Sequence, residues 1–320
     1  MIGLGIIGAG IMGERLARAA VEQAAESIRI TGVWDPSLDA LARLTTAIPG
    51  LTQAPSPEAL IGTAECVYIA SPPASHLGYA SRAVEAGRAV FCEKPLAVDL
   101  AEAEEFVTEA TGARAAVNFP MASSLAVERL RSWLEAGAIG EPRSLSIEVA
   151  FAGWPRSWQR DAAAWLDGPG EGGFTREVVS HFLFLSRRLL GPLALRGAEA
   201  RFPEPGRSER AIRADLTAGG LPASLVGGVG TTTKDDHNLW TLTGERGAIR
   251  LRDWSVAERL IDGTWQPDPE AMPNERIRPV VLKRQLEGVA RMTRGEPHHL
   301  ATLSEALDVQ RVVETILQSA

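Results

Sequence analysis

Short apolar runs alternate with longer amphipathic stretches through the first third of the chain. The apolar runs fall at 2–7, 28–34, 66–70, 89–92 and 115–117, and helical periodicity fills 11–26, 38–47, 56–61, 75–86 and 100–111. Strands alternating with helices of this length predict βαβ crossovers and a parallel sheet covered on both faces. Gly87 stands where a helix ends on a left-handed residue, and Asp99 where a helix start takes a side-chain acceptor. Beyond Asn118 the pattern changes. A helix is predicted over 123–135, closed by Gly137, and polar-apolar alternation at 143–151 marks a half-buried strand. Strand-like runs follow at 195–201, 210–216, 223–230, 240–242 and 248–251, joined by short turns such as Gly219-Gly220 and Gly244-Glu245-Arg246-Gly247. That spacing predicts an antiparallel or mixed sheet. Two final helices are expected at 278–293 and 303–318. The change of pattern divides the chain into domains at 1–119 and 120–320, an α/β fold in both halves.

Composition narrows the class without changing this picture. A chain of 320 residues exceeds one typical core and fits two domains. With 45% hydrophobic and 23% charged residues it is an ordinary globular sequence. The net charge of −7, with no Lys/Arg run that could track a phosphate backbone, argues against nucleic acid as a partner. No basic region precedes the opening apolar run, so no secretory leader is expected. No apolar run reaches the roughly 20 residues that span a bilayer. Cys66 and Cys92 each fall in a strand-like run and are expected as reduced core thiols, not as a disulfide or metal pair. A cytoplasmic protein without a metal is expected.

The first candidate chemistry lies at the opening strand. Gly8-Ala9-Gly10-Ile11-Met12-Gly13 matches G-x-G-x-x-G, with a strand before it and a helix after it. Gly8 permits the tight turn, Gly10 lets backbone approach a pyrophosphate, and Gly13 lets helix and strand pack closely. The backbone of this loop, through Ile11 and Met12, then presents amide donors at the positive end of a helix dipole. Asp35 ends the second apolar run, 22 positions after Gly13, where a carboxylate accepts from the adenosine ribose hydroxyls. It repels a ribose phosphate, and no Arg follows in Pro36-Ser37-Leu38. NAD is therefore the expected cofactor, with NADP as the alternative.

A second candidate follows the strand ending at Cys92. Glu93-Lys94-Pro95-Leu96 sits at a strand's carboxyl end, and in an open parallel sheet those ends face the ligand crevice. Lys94 would then face cofactor or substrate. The plainer reading is an exposed Glu-Lys pair at a turn.

The glycine loop, the Glu93-Lys94-Pro95 segment and a later Gly-Gly stretch leading into a helix with His181 together resemble the Gfo/Idh/MocA oxidoreductases. The resemblance covers essentially the whole chain. Ala70-Ser71-Pro72-Pro73 is similar to the family's third strand end, with His76 where the family often has histidine. The resemblance implies a Rossmann domain followed by an α/β domain whose large open, mainly antiparallel sheet is often used for oligomerisation, here a homodimer or homotetramer. It also implies that Ser71, Pro72, His76, Glu93 and Lys94 line the cofactor, that Lys94 lies near the nicotinamide and the substrate hydroxyl, and that the Lys-Pro bond is often cis.

The stretch from Glu171 to His181 looks like the family's G-G-G…D-x-G-x-H segment. On an α-helix Glu177 and His181 are four apart and share a face, so the carboxylate could orient the imidazole as a general base. Without the family, a lone His before Phe182-Leu183-Phe184-Leu185 reads as a packed histidine. Glu177 replaces the family's Asp, Val179 its Gly, and Phe184 a further Asp of many sugar-active members. These departures suggest a substrate less rich in hydroxyls than a free hexose or inositol. Trp154, Trp158 and Trp165 crowd a Gly/Pro-rich loop, where ligand contact and core or subunit packing are equally open. Leu166 stands where the family often has an Arg that touches cofactor. Asn118 and Arg176 are candidates for the same crevice, Arg176 for a substrate carboxylate or phosphate.

The function expected is hydride transfer between nicotinamide and a carbinol or carbonyl carbon of a sugar-like small molecule. His181 would take the proton, Lys94 would polarise the oxygen and Glu177 would steady the histidine. NAD-dependent glycoside cleavage and a non-catalytic NAD(P)-sensing regulator are the alternatives.

Overall fold

The computed structural model describes residues 1–319, with all their side chains except those of 160–164. The chain groups into two compact units, Met1–Ser123 with Arg278–Leu307 and Ser124–Ile277 with Asp308–Ala320. A single cut at 119/120 therefore overlooks a return of the chain: the stretch from Arg278 goes back to the first unit.

In the first unit, β1 (Ile2–Ile7), β2 (Ile28–Trp34), β3 (Cys66–Ile69), β4 (Ala89–Cys92) and β5 (Ala115–Val117) form one sheet in the order β2-β1-β3-β4-β5. Every pairing is parallel. The central strands β1, β3 and β4 are buried at every position, which is why they read as unbroken apolar runs. The connections run through α1 (Ile11–Gln23), α2 (Leu38–Ala47), α3 (Pro57–Thr63), α4 (His76–Glu85) and α5 (Leu100–Glu109). Ser37, Ser56 and Asp99 cap α2, α3 and α5 by accepting from backbone amides. Both cysteines are buried and free. Burial pushes the Cys66 thiol up to about 12 and the Cys92 thiol upward too.

The second unit opens with α6 (Leu125–Glu135) and carries an eight-stranded sheet. Its strands are β6 (Pro142–Phe151), β7 (Leu193–Arg201), β8 (Ala211–Ala218), β9 (Leu221–Val229), β10 (His237–Gly244), β11 (Gly247–Arg252), β12 (Val256–Ile261) and β13 (Thr264–Pro267). They lie in the order β13-β12-β11-β10-β6-β9-β8-β7, antiparallel except for the β6–β9 pair. Leu145, Ile147, Val149 and Phe151 face the core with Trp240 and Leu242 of β10. A one-turn helix α7 (Ala163–Leu166) precedes α8 (Ser180–Leu190). Trp240 donates its indole N–H to Ser186 of α8 at 2.9 Å.

The strands β12 and β13 have no counterpart in the apolar runs of the sequence. The charged pair Glu258-Arg259 interrupts β12, and Glu258 is nevertheless buried because Arg250 and Arg252 of the neighbouring strand hold it. The helix expected from residue 278 begins earlier, as α9 (Asn274–Thr293), with Pro279 inside it. The last helix is α10 (Leu303–Leu317).

Candidate active site

In the first unit, the loops at the carboxyl edge of the parallel sheet are tied together in the spatial order of their strands. Asp35, after β2, accepts from Ala9 N at 2.7 Å through Oδ2 and from Ser37 N at 2.8 Å through Oδ1. Gly8, after β1, has φ +105°, and a Cβ there would lie 2.5 Å from the Ala70 carbonyl and 2.7 Å from Ser71 N. His76 bridges onward, with Nε2 at 2.8 Å from the Ser71 carbonyl and Nδ1 at 2.8 Å from the Pro95 carbonyl. After β4 and β5, Glu93 Oε1 accepts from Tyr68 Oη at 2.5 Å and from Asn118 Nδ2 at 2.6 Å. Gln285 of α9 completes the chain by donating to Asn118 Oδ1. Burial, and then the Glu93 carboxylate, push the Tyr68 phenol well above its usual range, so it remains a donor.

These contacts redistribute the expected roles. His76 and Glu93, expected to line the cofactor, are buried and hold neighbouring loops in place. Asn118, expected near substrate, has its amide oxygen and nitrogen both engaged in that buried chain. Ser71 and Pro72 sit at the rim, in the turn leading to α4, and Ser71 Oγ accepts from Ser75 Oγ at 2.7 Å. Lys94 is half-buried on the loop after β4, and its bond to Pro95 is cis.

The residues present fit a dinucleotide. A Cβ at Gly10 would meet nothing within 4 Å, whereas one at Gly13 would lie 1.9 Å from the Gly8 carbonyl. Helix and loop are therefore locked together at Gly13 and open at Gly10. No side chain caps the start of α1, which leaves its first amides to a ligand. Ile11 is partly exposed there, and Met12 takes an Arg15 N–H on its sulfur at 3.4 Å. Asp35 keeps further lone pairs for ribose hydroxyls.

In the second unit, the segment before His181 differs from the expected α-helix. Thr175–Val179 forms a π-helical turn, and Ser180 N donates back to the Thr175 carbonyl before α8 begins. The wider turn changes the angular offset of Glu177 and His181 from the four-apart spacing of an α-helix. Glu177 is half-buried and His181 is buried. The Gly-Gly segment serves packing: a Cβ at Gly173, where φ is +99°, would strike the Glu209 carboxylate at 2.2 Å. Glu209 is fully buried, and its Oε1 accepts both the Thr175 amide and hydroxyl at 2.7 Å. Burial pushes its carboxyl above the usual carboxylate range.

Arg176, expected to meet a substrate anion, is committed elsewhere. Its Nε and Nη2 grip Glu314 of α10, each at 2.7 Å, and Nη1 donates to the Pro169 and Gly172 carbonyls. Such a buried fork leaves little to offer a ligand. Trp154 is also a packing residue, set against Phe151 and Phe174 with its indole N–H on the Leu166 carbonyl at 3.1 Å. Trp165 is half-buried, and Trp158 is exposed beneath the Arg156 guanidinium at 4.9 Å. Val179 and Phe184 are both fully buried, so the case built on them for a hydroxyl-poor substrate loses its basis.

Trp254, whose ring meets His181, and Asp236 and Arg156, which are bonded in series behind it, carried no sequence signal that singled them out.

Comparison with known proteins agrees with this architecture. Residues 2–119 match the Gfo/Idh/MocA family, an oxidoreductase family with an NAD-binding Rossmann fold. The inositol 2-dehydrogenase 2 of Paenarthrobacter aurescens is 27% identical over 339 residues, which takes in 99% of this chain and 96% of that protein. The NADP-dependent D-xylose 1-dehydrogenase of Haloarcula marismortui is 31% identical over 150 residues, 44% of this chain and 40% of that one. An oxidoreductase from Agrobacterium radiobacter, solved with NAD+, L-tartaric acid and magnesium, superposes with a TM-score of 0.84 at 20% identity. It covers 100% of this chain and 96% of its own, and shows the fold. Over residues 2–119, the chain is therefore similar to the NAD-binding Rossmann domain of the Gfo/Idh/MocA oxidoreductases.

Proposed function

We propose that the protein is an NAD-dependent dehydrogenase or reductase that works between a carbinol and a carbonyl carbon of a polyol or sugar-like substrate. One observation carries the reading. The open space at Gly10, before the uncapped start of α1, and Lys94 after β4 lie on the same carboxyl edge of one parallel sheet. Bound NAD supplies the hydride acceptor or donor. In the oxidation direction, Lys94 donates a hydrogen bond to the substrate oxygen and offsets its developing negative charge. His181 takes the hydroxyl proton onto its ring, and Glu177 in the preceding π turn is the acid assigned to steady that ring. The substrate class rests on the likeness to inositol and xylose dehydrogenases.

Lys94→Ala should lower kcat for inositol oxidation by roughly 100-fold or more while the NADH dissociation constant changes less than about threefold. It is read by absorbance at the nicotinamide band and by fluorescence titration. Unchanged turnover in that variant removes the mechanism. Net NADH formation from inositol separates it from transient-oxidation glycoside cleavage and from a purely sensing role. Asp35 favours NADH over NADPH, by about tenfold or more from one buried-edge charge repulsion. We also infer a cytoplasmic location, and a homodimer or homotetramer assembled through the large sheet of the second unit.

A further inference from the structure

Trp254, in the turn between β11 and β12, meets the imidazole of His181 nearly edge-on, with centroids 5.4 Å apart and planes at 81°. The same ring packs on Phe182 at 5.4 Å and 40°. Its indole N–H donates to Asp236 Oδ2 at 3.2 Å. That oxygen also accepts from Arg156 Nη1 at 2.7 Å, in an ion pair whose side chains are only 8% and 19% exposed. Arg156 lies over the rings of Trp154 and Trp158 at 5.7 and 4.9 Å, and its Nε donates to Gln159 at 3.0 Å. Two more bonds tie the same strands of chain: Ser157 Oγ to Asp235 at 2.5 Å and Ala152 N to the Lys234 carbonyl at 2.9 Å. The lead-in to β10 is thus bonded on one side to the tryptophan-rich loop and on the other to the ring that touches His181.

We propose that Trp254 is a positioning residue for His181, held in place by Asp236, and that Asp236 thereby couples the tryptophan-rich loop to the catalytic base. The proposal rests on the reading of His181 as that base. The terminal torsion of a histidine is broad and roughly two-fold, so the backbone by itself does not fix the plane of the ring. An aromatic edge set against it selects one plane. An indole N–H on a carboxylate that is itself paired with a guanidinium keeps that edge from swinging away. A base whose ring plane is fixed spends more of its time aimed at the proton it must take, which raises kcat and leaves cofactor affinity alone. The loop bearing the exposed Trp158 then reports its position to the base through Arg156 and Asp236.

The test uses the full chain with 13C-labelled histidine, whose five imidazole signals are assigned with the aid of His181→Asn. Trp254→Leu should move the His181 signal by removing its ring current, and lower kcat for inositol oxidation about tenfold or more with KM for NAD within about twofold. Trp254→Phe, which keeps an aromatic edge, should recover part of that loss. Asp236→Leu, which does not touch His181, should move the same signal and lower kcat several-fold, and Asp236→Asn, which keeps a carbonyl acceptor, should restore most of it. Should Trp254→Leu fail to fold, Trp254→Phe and Asp236→Leu carry the measurement. The proposal is overturned if Asp236→Leu leaves the His181 signal in place, or if neither Trp254 variant changes kcat. Full turnover in His181→Asn overturns instead the assignment of the base, and the signal shifts are read without substrate, so the two failures are distinct.

Discussion

Asn238 and Glu209 are polar side chains buried without full hydrogen bonding, and each has a measurable consequence. Asn238 is fully buried on β10, and neither its amide oxygen nor its amide nitrogen has a bonding partner among the described residues. An unmade bond of this kind costs about 1–3 kcal/mol per group, more than a well-shaped apolar replacement does. Asn238→Leu should therefore raise stability by about 1 kcal/mol, or roughly 2–4 °C in a thermal unfolding scan. A lower melting temperature would mean that the amide is bonded in solution. Glu209 acts through pH. Its folded pKa lies above the ordinary 4.5, so its contribution to stability is full below pH 4.5 and is lost as pH rises through the raised value. Glu209→Gln keeps an acceptor for Thr175 and removes that titration. Denaturation midpoints compared at pH 5 and pH 8 should fall with pH more steeply in the parent than in the variant. Asp167 has the opposite sign. Burial alone would raise it, but Arg210 and Ser208 hold it below 3.8, so its contribution is lost only as pH falls below that range.

At the scale of elements, Gly10 and Gly13 separate ligand binding from folding. Gly10→Ala adds a methyl into open space and should leave the melting temperature within about 1–2 °C, while weakening NADH at least tenfold by filling the approach to α1. Gly13→Ala puts the same methyl against the Gly8 carbonyl and should lose both stability and binding. Equal behaviour of the two variants would show that the loop rearranges. This loop was legible because its chemistry is local: glycine spacing, flanking strand and helix, and a carboxylate on the next strand all lie within 35 residues. The central parallel strands β1, β3 and β4 were legible for a similar reason, since burial on both faces leaves no polar position. By contrast, β12 was hidden because its charges are neutralised by a neighbouring strand. The π turn at Thr175–Val179 depends on Glu209, 34 residues away, gripping its first amide. The same distance effect explains Asn118 and Arg176. Both are polar residues of types that bind ligands, but their partners Gln285 and Glu314 lie 167 and 138 positions further on. Periodicity and motif spacing hold no information about such pairings.

At the scale of the whole chain, the return of residues 278–307 to the first unit makes the cofactor domain discontinuous. Leu286, Val289, Ala290, Met292 and Leu300 belong to one buried core with the residues of β1 and α1. Gln285 reaches Asn118, Arg114 donates to the Thr293 carbonyl at 2.8 Å, and Val117 N donates to the Ala301 carbonyl at 2.9 Å. At about 1.5–3 kcal/mol for each large apolar side chain, losing these contacts removes an amount comparable to the entire stability of a typical domain, about 5–15 kcal/mol. The matched family segment, residues 2–119, is therefore expected not to fold by itself. Residues 1–123 alone should expose that apolar surface, unfold without a cooperative transition and fail to quench or enhance NADH fluorescence. Joining 278–307 to them through a flexible glycine-serine linker should restore a single transition and NADH binding close to that of the full chain. A cooperative, NADH-binding 1–123 fragment would instead place the return helix outside the folding core, and the buried Gln285–Asn118 contact would then be a consequence of the fold and not one of its causes.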